Sequence, residues 1–551
     1  MAGPNSLPSI DPKSGFCFET KTFHSIRPAV PLPPPTLSLS IADYALSLFR
    51  NSSSPGTTAL IDSDTGRRLT YAEFIRQIEN LAASLQTQIG LCRGDTAFIL
   101  SPACLEVPIL YFSLFSLGVV IAPTNPTSTS SEISRQIKLC KPVIAFAASA
   151  TAHKLPSLRH ETILLDSPEF DSMLTAGPAA EARSRFQRVE VNQSDPAANL
   201  FSSGTTGPVK AVLLTHRNWI SMVAGIYSLR PQRASPAVLL STVSYFHVYG
   251  LLYCVKSVAV GETVVVMRKF DLGKMRRAVE QFRVTHMAVA PPVVVAMVKD
   301  NVVMKGCDMS SLEAIMCSGA PFAEEVAQRF TERFPGVFVA QAYGLTETTG
   351  GVFRSVGPGE KGPLGSSGRL ASNCEAKIVD PYTGNVMPPC KQGELWIRGP
   401  TVMKGYIDND EATAATLDPE GWLRSGDICY IDNNGFIFVV DRLKDLIKYK
   451  GYQVAPAELE NLLQSHPDII DAAVIPYPDE EAGQVPMAFV VRRPQSTIDE
   501  LQIMEFIARQ VAPYNKVRRV SFIDSIPKNA TGKTLRKELV KLALSATVSK
   551  L

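Results

Sequence analysis

The chain has 551 residues, 45% of them hydrophobic, and 55 basic residues against 52 acidic ones leave a formal net charge of +3. This length exceeds one ordinary core and predicts at least two domains. The small charge excess argues against a nucleic-acid-binding protein, in which the basic excess would be larger. Two basic clusters are interpreted as solvated surface, with contact to a polyphosphate as the alternative: Lys274, Arg276 and Arg277, and Lys516, Arg518 and Arg519.

The cysteines and the targeting signals indicate the cellular compartment of the protein. The ten cysteines contain no C-x-x-C pair and no zinc spacing with the seven histidines, so we expect free thiols in a reducing compartment and no Cys/His metal site. The first twenty residues lack a secretory pattern, and the apolar run 107–122 predicts a buried helix followed by a strand rather than a membrane span. Ser549-Lys550-Leu551 matches the address read by a peroxisomal import receptor, which predicts a peroxisomal location.

Four segments follow one another along the chain. Residues 1–36 are rich in proline and predict an extended N-terminal segment. Across 37–441, helical patterns alternate with short β-branched runs such as 263–267, which predicts a large α/β domain of mixed or parallel sheets with covering helices. The charged stretch 442–454 predicts a hinge or linker, and 455–551 predicts a small mobile α+β domain.

Two helices are predicted in this last segment. One begins at Pro456, a residue favoured in the first helical turn. The other is predicted from Thr497, which has the spacing of a capping box with Glu500. Apolar residues at helical spacing predict its buried face: Leu501, Met504, Ile507 and Ala508.

The stretch FSSGTTGPVK, residues 201–210, combines glycines, small hydroxyl residues and a lysine. Such residues let a backbone turn sharply and aim several N–H and O–H donors at one point, which suits a phosphate. The spacing is not that of a P-loop, because only two residues separate Gly204 from Gly207. TGKT near the C-terminus is not a P-loop either, because Pro527 stands where the first glycine is required.

Five further stretches carry polar residues beside predicted strands and turns. They are SYFHVYG with His247, QAYGLTET with Thr346 and Glu347, GWLRSGD with Asp427, DRLKDLIKYKGYQV, and PKNATGKTLRKEL with Lys533. In the order and composition of these stretches, the chain resembles the acyl-adenylate-forming superfamily, and within it the plant 4-coumarate–CoA ligases and their peroxisomal acyl-CoA synthetase relatives. The resemblance covers about residues 40–540 and implies a large N-terminal domain, a small C-terminal lid and a two-step ligase reaction.

The resemblance implies ATP, Mg²⁺ and coenzyme A as the small molecules used. A carboxylate first attacks the α-phosphate of ATP to give acyl-AMP and pyrophosphate, and the thiol of coenzyme A then displaces AMP. Glu347 is the implied metal ligand, and Lys533 is implied to counter the charge at the α-phosphate. The residues implied to bind ATP or AMP are Ser202, Ser203, Gly204, Thr205, Thr206, Gly207, Lys210, Gln341, Ala342, Thr346, Asp427, Arg442, Lys444, Lys448, Gln453 and Lys533.

The second step is assigned by the same resemblance to other groups. Because Lys533 and Lys448 lie on one small domain, they cannot both face the acyl-AMP in one pose, and a hinge at about Lys444 is expected to turn the lid between steps. The implied catalytic residues are Lys533, Lys448, His247 and Gln453. The implied coenzyme A residues are Lys269, Lys450 and Gly451.

The acyl pocket departs from the family pattern. The resemblance places Tyr249, Tyr253, Gly319, Gly350 and Gly351 around the acyl group. Hydroxycinnamate ligases have Ser in place of Tyr253 and Pro-Val in place of the two last glycines, so a reshaped pocket is expected. The candidate acids are an oxylipin precursor of jasmonate, a medium-chain fatty acid and a cinnamate-type acid. We rank the fatty and oxylipin class first because a peroxisomal enzyme prepares acids for β-oxidation.

Three other functions are weighed against this one. An amino-acid-activating domain would carry an Asp near His247, and a luciferase would carry a second His where Val248 stands. A non-catalytic acyl- or AMP-binding relative would be expected to have lost Lys533 or Glu347. The expected partners are the carboxylic acid, ATP, coenzyme A and the import receptor, with no nucleic acid, no membrane span and a monomer or weak homo-oligomer.

Overall fold

The computed structural model describes residues 9–51, 54–202, 209–299, 304, 306–320, 322–450, 452–529 and 532–548. The strands of this part are β1 Phe16–Cys17, β2 Thr22–His24, β3 Thr58–Asp62, β4 Arg68–Thr70, β5 Thr96–Leu100, β6 Val120–Pro123, β7 Ile144–Ala147, β8 Ile163–Leu164, β9 Pro196–Ser202, β10 Lys210–Thr215, β11 Val238–Ser241, β12 Thr263–Val266, β13 His286–Val289, β14 Ala314–Cys317, β15 Phe338–Leu345, β16 Gly350–Arg354, β17 Arg369–Leu370, β18 Glu375–Val379, β19 Gly393–Arg398, β20 Gly405–Tyr406, β21 Leu423–Ile431, β22 Ile437–Arg442, β23 Ile447–Tyr449, β24 Tyr452–Val454, β25 Ile469–Asp479, β26 Gly483–Arg492 and β27 Arg519–Phe522.

The helices alternate with these strands. They are α1 Ile41–Arg50, α2 Tyr71–Ser84, α3 Glu106–Ser116, α4 Ser130–Cys140, α5 Ser149–Ala152, α6 Pro168–Thr175, α7 Ala180–Arg183, α8 His216–Ser228, α9 Val248–Val260, α10 Leu272–Phe282, α11 Pro291–Lys299, α12 Glu324–Arg333, α13 Asp410–Thr416, α14 Pro456–Ser465, α15 Glu500–Ala508 and α16 Arg536–Val548. A π-helical turn, Leu85–Ile89, extends α2, and short 3₁₀ turns cover Thr346–Thr348, Pro358–Glu360 and Pro513–Asn515.

The large N-terminal part contains three of the sheets formed by the described residues. One has the order β20-β10-β9-β6-β5-β7-β8, and a second has the order β17-β16-β15-β14-β13-β11-β12-β3-β4. The first is parallel from β9 to β8 and antiparallel only at its β20–β10–β9 edge, and the second is parallel in its interior and antiparallel at both edges. The third, β1-β2-β18-β19-β21-β22, is antiparallel. The predicted α/β domain of mixed and parallel sheets is therefore confirmed.

Several local predictions agree with this architecture. The apolar run 107–122 forms the buried α3 and then β6, because α3 is covered on every side and needs no polar face. All ten cysteines are unpaired. Among the described residues, no helix is long and apolar enough to cross a membrane.

The N-terminal segment contributes more than an extended chain. Phe16 and Phe23 are buried, and the hairpin β1–β2 joins the third sheet through the pairing of β2 with β18. Arg27 forms an ion pair with Glu360 at 2.6 Å. Its proline content predicted no such strands, because the pairing depends on a partner strand more than 300 residues later in the sequence.

The C-terminal part forms a five-stranded sheet, β24-β23-β26-β25 with β27 beside β26. Alternate residues of β25 face opposite sides, so Val474 packs in a cluster with helices α14 and α15, and Ile475 packs in a second cluster with α16. Both faces of the sheet are thereby covered, which confirms the small α+β domain.

The start of α15 differs from the prediction. Its N-cap is Asp499, whose carboxylate accepts a hydrogen bond from the backbone N–H of Gln502 at 2.8 Å, and the box with Thr497 was wrong. Ile503 and Ile507 are the buried residues of this helix, whereas Leu501 is 68% exposed. Asp499 and Gln502 form the capping box of this helix, two residues beyond the predicted pair.

Both ends of helix α11 contact the small C-terminal part. The Lys299 ammonium donates a hydrogen bond to the backbone oxygen of Ile470 at 2.6 Å. At the other end, Pro292 contacts Gly532 so closely that a Cβ on this glycine would lie 2.6 Å from the proline ring. The small domain is thus docked on the large one with the loop before α16 facing inward.

A buried ion pair holds that loop to its own domain. Arg536, the first residue of α16, donates to the Glu460 carboxylate of α14 at 2.7 Å. The same carboxylate oxygen accepts from the backbone N–H of Val474 at 2.8 Å. Burial raises the pKa of Glu460 to about 6, which leaves it ionised at neutral pH.

We expect Arg536→Met to destabilise the protein by about 3–5 kcal/mol, because an unpaired carboxylate stays buried. Because the pKa of Glu460 is higher in the folded protein than in the unfolded chain, protonation of Glu460 favours folding. This stabilisation is complete below about pH 4.5 and is lost as pH rises through about 6. The destabilisation should therefore be larger at pH 7.5 than at pH 5, as measured by denaturant unfolding of the full chain.

Two further variants control this measurement. Replacing both partners, Arg536→Met with Glu460→Leu, should recover most of the loss. Arg509→Met removes an exposed pair with Glu505 and should change stability by less than about 1 kcal/mol. Equal effects of Arg536→Met and Arg509→Met would contradict the structural role of the buried pair.

Candidate active site

The predicted phosphate loop lies mostly outside the described residues, which exclude Ser203, Gly204, Thr205, Thr206 and Gly207. Its two ends are described at the mouth of a hairpin. Ser202 ends β9 and lies opposite Lys210, the first residue of β10. The Ser202 hydroxyl donates to the Lys210 backbone oxygen at 3.4 Å. The ladder between β9 and β10 therefore holds the two ends of the loop together.

Tyr406 connects the end of this loop to the predicted metal ligand. The Lys210 ammonium lies 4.6 Å from the centre of the Tyr406 ring, and the Tyr406 hydroxyl donates to Glu347 Oε1 at 2.9 Å. Thr346 and Glu347 stand in the 3₁₀ turn that follows β15. The structure thus brings Lys210, Thr346 and Glu347 to one edge, where their sheets meet.

Asp427 is the centre of a second polar group. Its side chain is 4% exposed, and it lies opposite Arg442 in the ladder of β21 and β22. Arg442 Nε lies 3.4 Å from Asp427 Oδ1, and the Tyr343 hydroxyl donates to Oδ2 at 2.7 Å. The two donors orient the carboxylate, so its remaining lone pairs are available to a ligand with hydroxyl groups.

Lys533 reaches this group from the small domain. Its loop is closed by two hydrogen bonds of 2.9 Å with Asn529, one from each backbone N–H. Burial lowers the pKa of Lys533 to about 8, and the charge of Arg442 acts in the same direction, while Asp427 opposes it. Lys533 therefore shares its surroundings with the Asp427–Arg442 pair.

His247 lies across from Lys533. It caps α9, with Nδ1 accepting from the backbone N–H of Tyr249 at 3.3 Å. Burial, and then the charge of Lys533, lowers the pKa of His247 to about 4, so the imidazole is neutral at physiological pH. The structure brings these two residues together although 286 positions of sequence separate them.

Gln341 and Ala342 lie on β15, between β14 and β16. The Ser318 hydroxyl donates to the Ala342 backbone oxygen at 2.7 Å, and the Ser355 backbone N–H donates to the Gln341 oxygen at 3.2 Å. These bonds hold the strand that leads directly into the turn with Thr346.

The predicted acyl residues gather beside β15 and α9. The Tyr249 hydroxyl donates to the Met316 backbone oxygen at 2.6 Å, and its ring meets Tyr253 edge-to-face with centroids 5.2 Å apart. No described heavy atom lies within 4 Å of where a Cβ on Gly319 would stand, so the space beside it is open. These residues form one wall that ends in two aromatic rings.

The glycine pair of the pocket has a backbone that the family's proline could not adopt. Gly350 has a φ of +109°, and a Cβ there would lie 2.9 Å from the Leu252 side chain. Proline holds φ near −65°, so the chain follows a different path at this position. At Gly351, a Cβ would lie 3.3 Å from that of Ala342. At Gly350, the backbone conformation as well as the lack of space therefore disfavours a proline.

The residues expected to serve the second step stand apart from this cavity. Lys448 is exposed on β23, opposite Gln453 of β24, and its backbone N–H donates to Gln484 at 2.9 Å. Lys450 and Lys269 are both exposed. Gly451 lies outside the described residues. Lys444 is in the linker, among the charges that act on Lys533.

The metal prediction rests on one carboxylate. Among the described residues, no group of three or more His, Cys, Asp or Glu side chains could hold a metal ion. Mg²⁺ usually takes one or two carboxylates and completes its shell with substrate phosphates and water, so Glu347 fits as a single protein ligand.

Sequence reasoning missed three residues of the site. Tyr343 stands in the QAYGLTET stretch, where its position between site residues was an available signal. Tyr406 and Pro292 carried no such signal, because their contacts with Glu347 and Gly532 come only from the packing of distant segments.

Comparisons with known proteins agree with this geometry. The family model described as AMP-binding enzyme matches residues 49–407, and the model described as AMP-binding enzyme C-terminal domain matches residues 458–533. The chain is 50% identical to 4-coumarate–CoA ligase-like 9 of Arabidopsis thaliana, with 98% of each protein covered. It is 45% identical to Peroxisomal OPC-8:0-CoA ligase 1 of the same plant, covering 98% of this chain and 99% of the relative.

A solved structure shares the fold as well. The o-succinylbenzoate CoA synthetase of Bacillus subtilis, in complex with its acyl-adenylate intermediate, superposes with a TM-score of 0.76 at 26% identity. The match covers 90% of this chain and 97% of that one. The chain therefore belongs to the AMP-binding enzyme family, as an acid–thiol ligase that uses ATP to join a carboxylic acid to coenzyme A through an acyl-adenylate.

Proposed function

We propose that this ligase activates a fatty or oxylipin acid, with Mg²⁺ as cofactor, in the peroxisome. The observation that carries the proposed chemistry is the position of Lys533 beside His247 and the Asp427–Arg442 pair. Burial and the charges of Arg442 and Lys444 lower the pKa of this lysine, Asp427 and Asp445 oppose them, and Asp427 already accepts a hydrogen bond from Tyr343.

In the first step, a carboxylate oxygen attacks the α-phosphorus of ATP, and the bond from that phosphorus to the bridging oxygen breaks. The Lys533 ammonium lies between the two anions and counters the charge that accumulates on the α-phosphate. Thr346 donates to the same phosphate, and Asp427 accepts from the ribose hydroxyls. Arg442, which donates to Asp427, orients that carboxylate.

The leaving pyrophosphate is held by the loop that starts at Ser202 and ends at Lys210. A bound Mg²⁺ supplies positive charge to the phosphate oxygens. Glu347 is the residue that would hold it, and the hydrogen bond from Tyr406 fixes the orientation of this carboxylate.

In the second step, the sulfur of coenzyme A attacks the acyl carbon, the bond from that carbon to the AMP oxygen breaks, and the thiol proton leaves. His247 is neutral in this site and shapes the space beside the acyl carbon. We assign Lys448 and Gln453 to this step, with Lys269, Lys450 and Gly451 for coenzyme A. The exposed positions of Lys448, Lys450 and Lys269 fit a lid that turns at Lys444 after acyl-AMP forms.

The fatty or oxylipin class is favoured over hydroxycinnamates by the pocket. Tyr253 fills space where hydroxycinnamate ligases carry Ser, and Gly350 leaves room for the Leu252 side chain. The relative at 45% identity is named a peroxisomal OPC-8:0-CoA ligase, which supports both the acid class and the location. The location also rests on Ser549-Lys550-Leu551, which lies outside the described residues.

The acid class is tested by thioester formation with hexanoate to palmitate, jasmonate precursors, cinnamate and 4-coumarate. We expect kcat/KM to be at least about tenfold higher for one fatty or oxylipin acid than for 4-coumarate. Tyr253→Ser should shift that ratio toward 4-coumarate by a similar factor, whereas Tyr382→Ser, at an exposed tyrosine, should not. A wild-type preference for 4-coumarate would overturn the class.

Lys533→Ala should lower carboxylate-dependent ATP–pyrophosphate exchange by about 10²–10³-fold, because the developing charge loses its counter-charge. Lys528→Ala, five residues earlier, removes a lysine bonded to Asp471 and should leave exchange within about threefold. Equal losses in the two variants, or none in either, would refute the role of Lys533.

The pKa of Lys533 predicts the alkaline side of the pH profile. The protonated amine is present below about pH 8 and is lost above it, so kcat/KM for ATP in the exchange reaction should fall about tenfold per pH unit beyond that point. Lys533→Arg should retain partial activity and move the fall upward by at least about two pH units, because guanidinium stays charged. A flat wild-type profile to pH 9.5 would contradict this assignment.

A further inference from the structure

Arg354 ends β16 and is one of the most buried charged side chains of the described chain, with 8% exposure. Its Nη1 donates to the Gly351 backbone oxygen at 3.1 Å and lies 3.5 Å from the Met222 sulfur. Nη2 is also buried, yet it has no hydrogen-bond partner among the described residues. A buried guanidinium N–H without a partner is rare and unfavourable, so this atom calls for an acceptor.

The guanidinium also lacks a counter-ion. None of the ion pairs among the described residues includes Arg354. The nearby Glu360 is bound by Arg27, which also donates to the Arg354 backbone oxygen at 2.6 Å. Burial, and then the charge of Arg27, lowers the pKa of Arg354 to about 10, so the side chain is still charged at neutral pH.

Arg354 contacts a residue of the predicted acyl pocket. Its Nη1 holds the carbonyl of Gly351, a pocket residue. Burial raises the pKa of the Tyr253 hydroxyl, and the Arg354 guanidinium opposes that rise, which places the two groups within electrostatic reach. Tyr253 lies six residues beyond His247 along α9, roughly 9 Å along the helix axis. The guanidinium therefore lies beside one predicted pocket residue and near another that is more than one helical turn from His247.

The helix facing Arg354 leaves space for its free nitrogen. Gly225 of α8 has no side chain, and a Cβ there would lie 3.3 Å from Nη2. A larger residue would crowd the guanidinium against β16. The glycine thus leaves this buried nitrogen uncrowded, and an oxygen of a ligand would satisfy both its hydrogen bond and part of its charge.

We propose that Arg354 binds a second oxygen function of the acyl substrate, at the end remote from the carboxylate that becomes the thioester. The substrates are then acids with a distal acceptor, a ketone or a second carboxylate, rather than acids that end in a methyl group. This inference rests on the proposed function and narrows its acid class. A site built to hydrogen-bond a substrate group discriminates strongly against analogues that lack it, because its own polar atom is left unpaired.

The test compares acids of equal length that differ only at the far end. Octanoate, 7-oxooctanoate and octanedioate form one set, with matching sets from six to twelve carbons. We expect wild-type kcat/KM for ATP–pyrophosphate exchange to be at least about 30-fold higher for an oxo acid or a diacid than for the methyl-ended acid of the same length. The oxo and diacid arms show whether the acceptor is neutral or charged.

Arg354→Met should abolish that preference, lowering the ratio between the two acids by about 30-fold or more. Arg354→Lys keeps the charge with a shorter reach and should leave an intermediate ratio, which serves as the test if the Met variant does not fold. Arg369→Met is the matched control, because this arginine lies directly opposite Arg354 on β17 but donates to Asn434 instead. It should leave every ratio unchanged.

Each outcome decides one claim. If the wild-type enzyme forms thioesters but prefers a distal oxygen at no chain length, the role proposed for Arg354 is wrong and water is the partner of Nη2. This outcome leaves the ligase assignment intact. An unchanged ratio in folded Arg354→Met does the same. No reaction with any acid would count against the proposed acid class and, with it, against this inference.

Discussion

Positive charge gathered around one buried carboxylate is the constraint on which the arrangement of both domains depends. Lys533 and Arg442 both lie near Asp427, and burial lowers the pKa of Lys533 because its charge is poorly solvated there. Lys444 adds a third positive charge, which the carboxylates of Asp427 and Asp445 do not balance. The docked pose is therefore complete only with an anionic ligand, and a nucleotide that binds between the domains stabilises this pose over an open one.

The contacts of α11 with the small domain hold Lys533 close to Asp427 and Arg442. This helix contacts the small domain at both ends, through Pro292 with Gly532 and through Lys299 with Ile470. Gly532 is suited to its place because its φ is +82° and no side chain intervenes. The buried pair of Arg536 and Glu460 then ties the lysine loop to its own sheet, so the loop moves with the domain as one body.

In the site that we propose, polar groups stand at both ends of the acyl group, with aromatic rings between them. His247 and Lys533 would lie beside the reacting carboxylate, with Tyr249 and Tyr253 along the acyl group. Arg354, held by β16 and facing α8, would add a charge beyond them. Such a site would discriminate between acids by their length and by their far end, more strongly than an apolar pocket alone.

The sequence by itself determined the local elements and the chemical types of the site residues, since helix starts such as Pro456, buried runs such as 107–122 and six ordered motifs are local patterns. It misplaced the cap of α15, where Asp499 and Gln502 form the capping box instead of Thr497 and Glu500. Tertiary structure alone decided which residues meet. Tyr406 reaches Glu347 across 59 positions, and Arg354 Nη2 is buried with no hydrogen-bond partner among the described residues, because these environments arise from docking distant segments that no local pattern encodes.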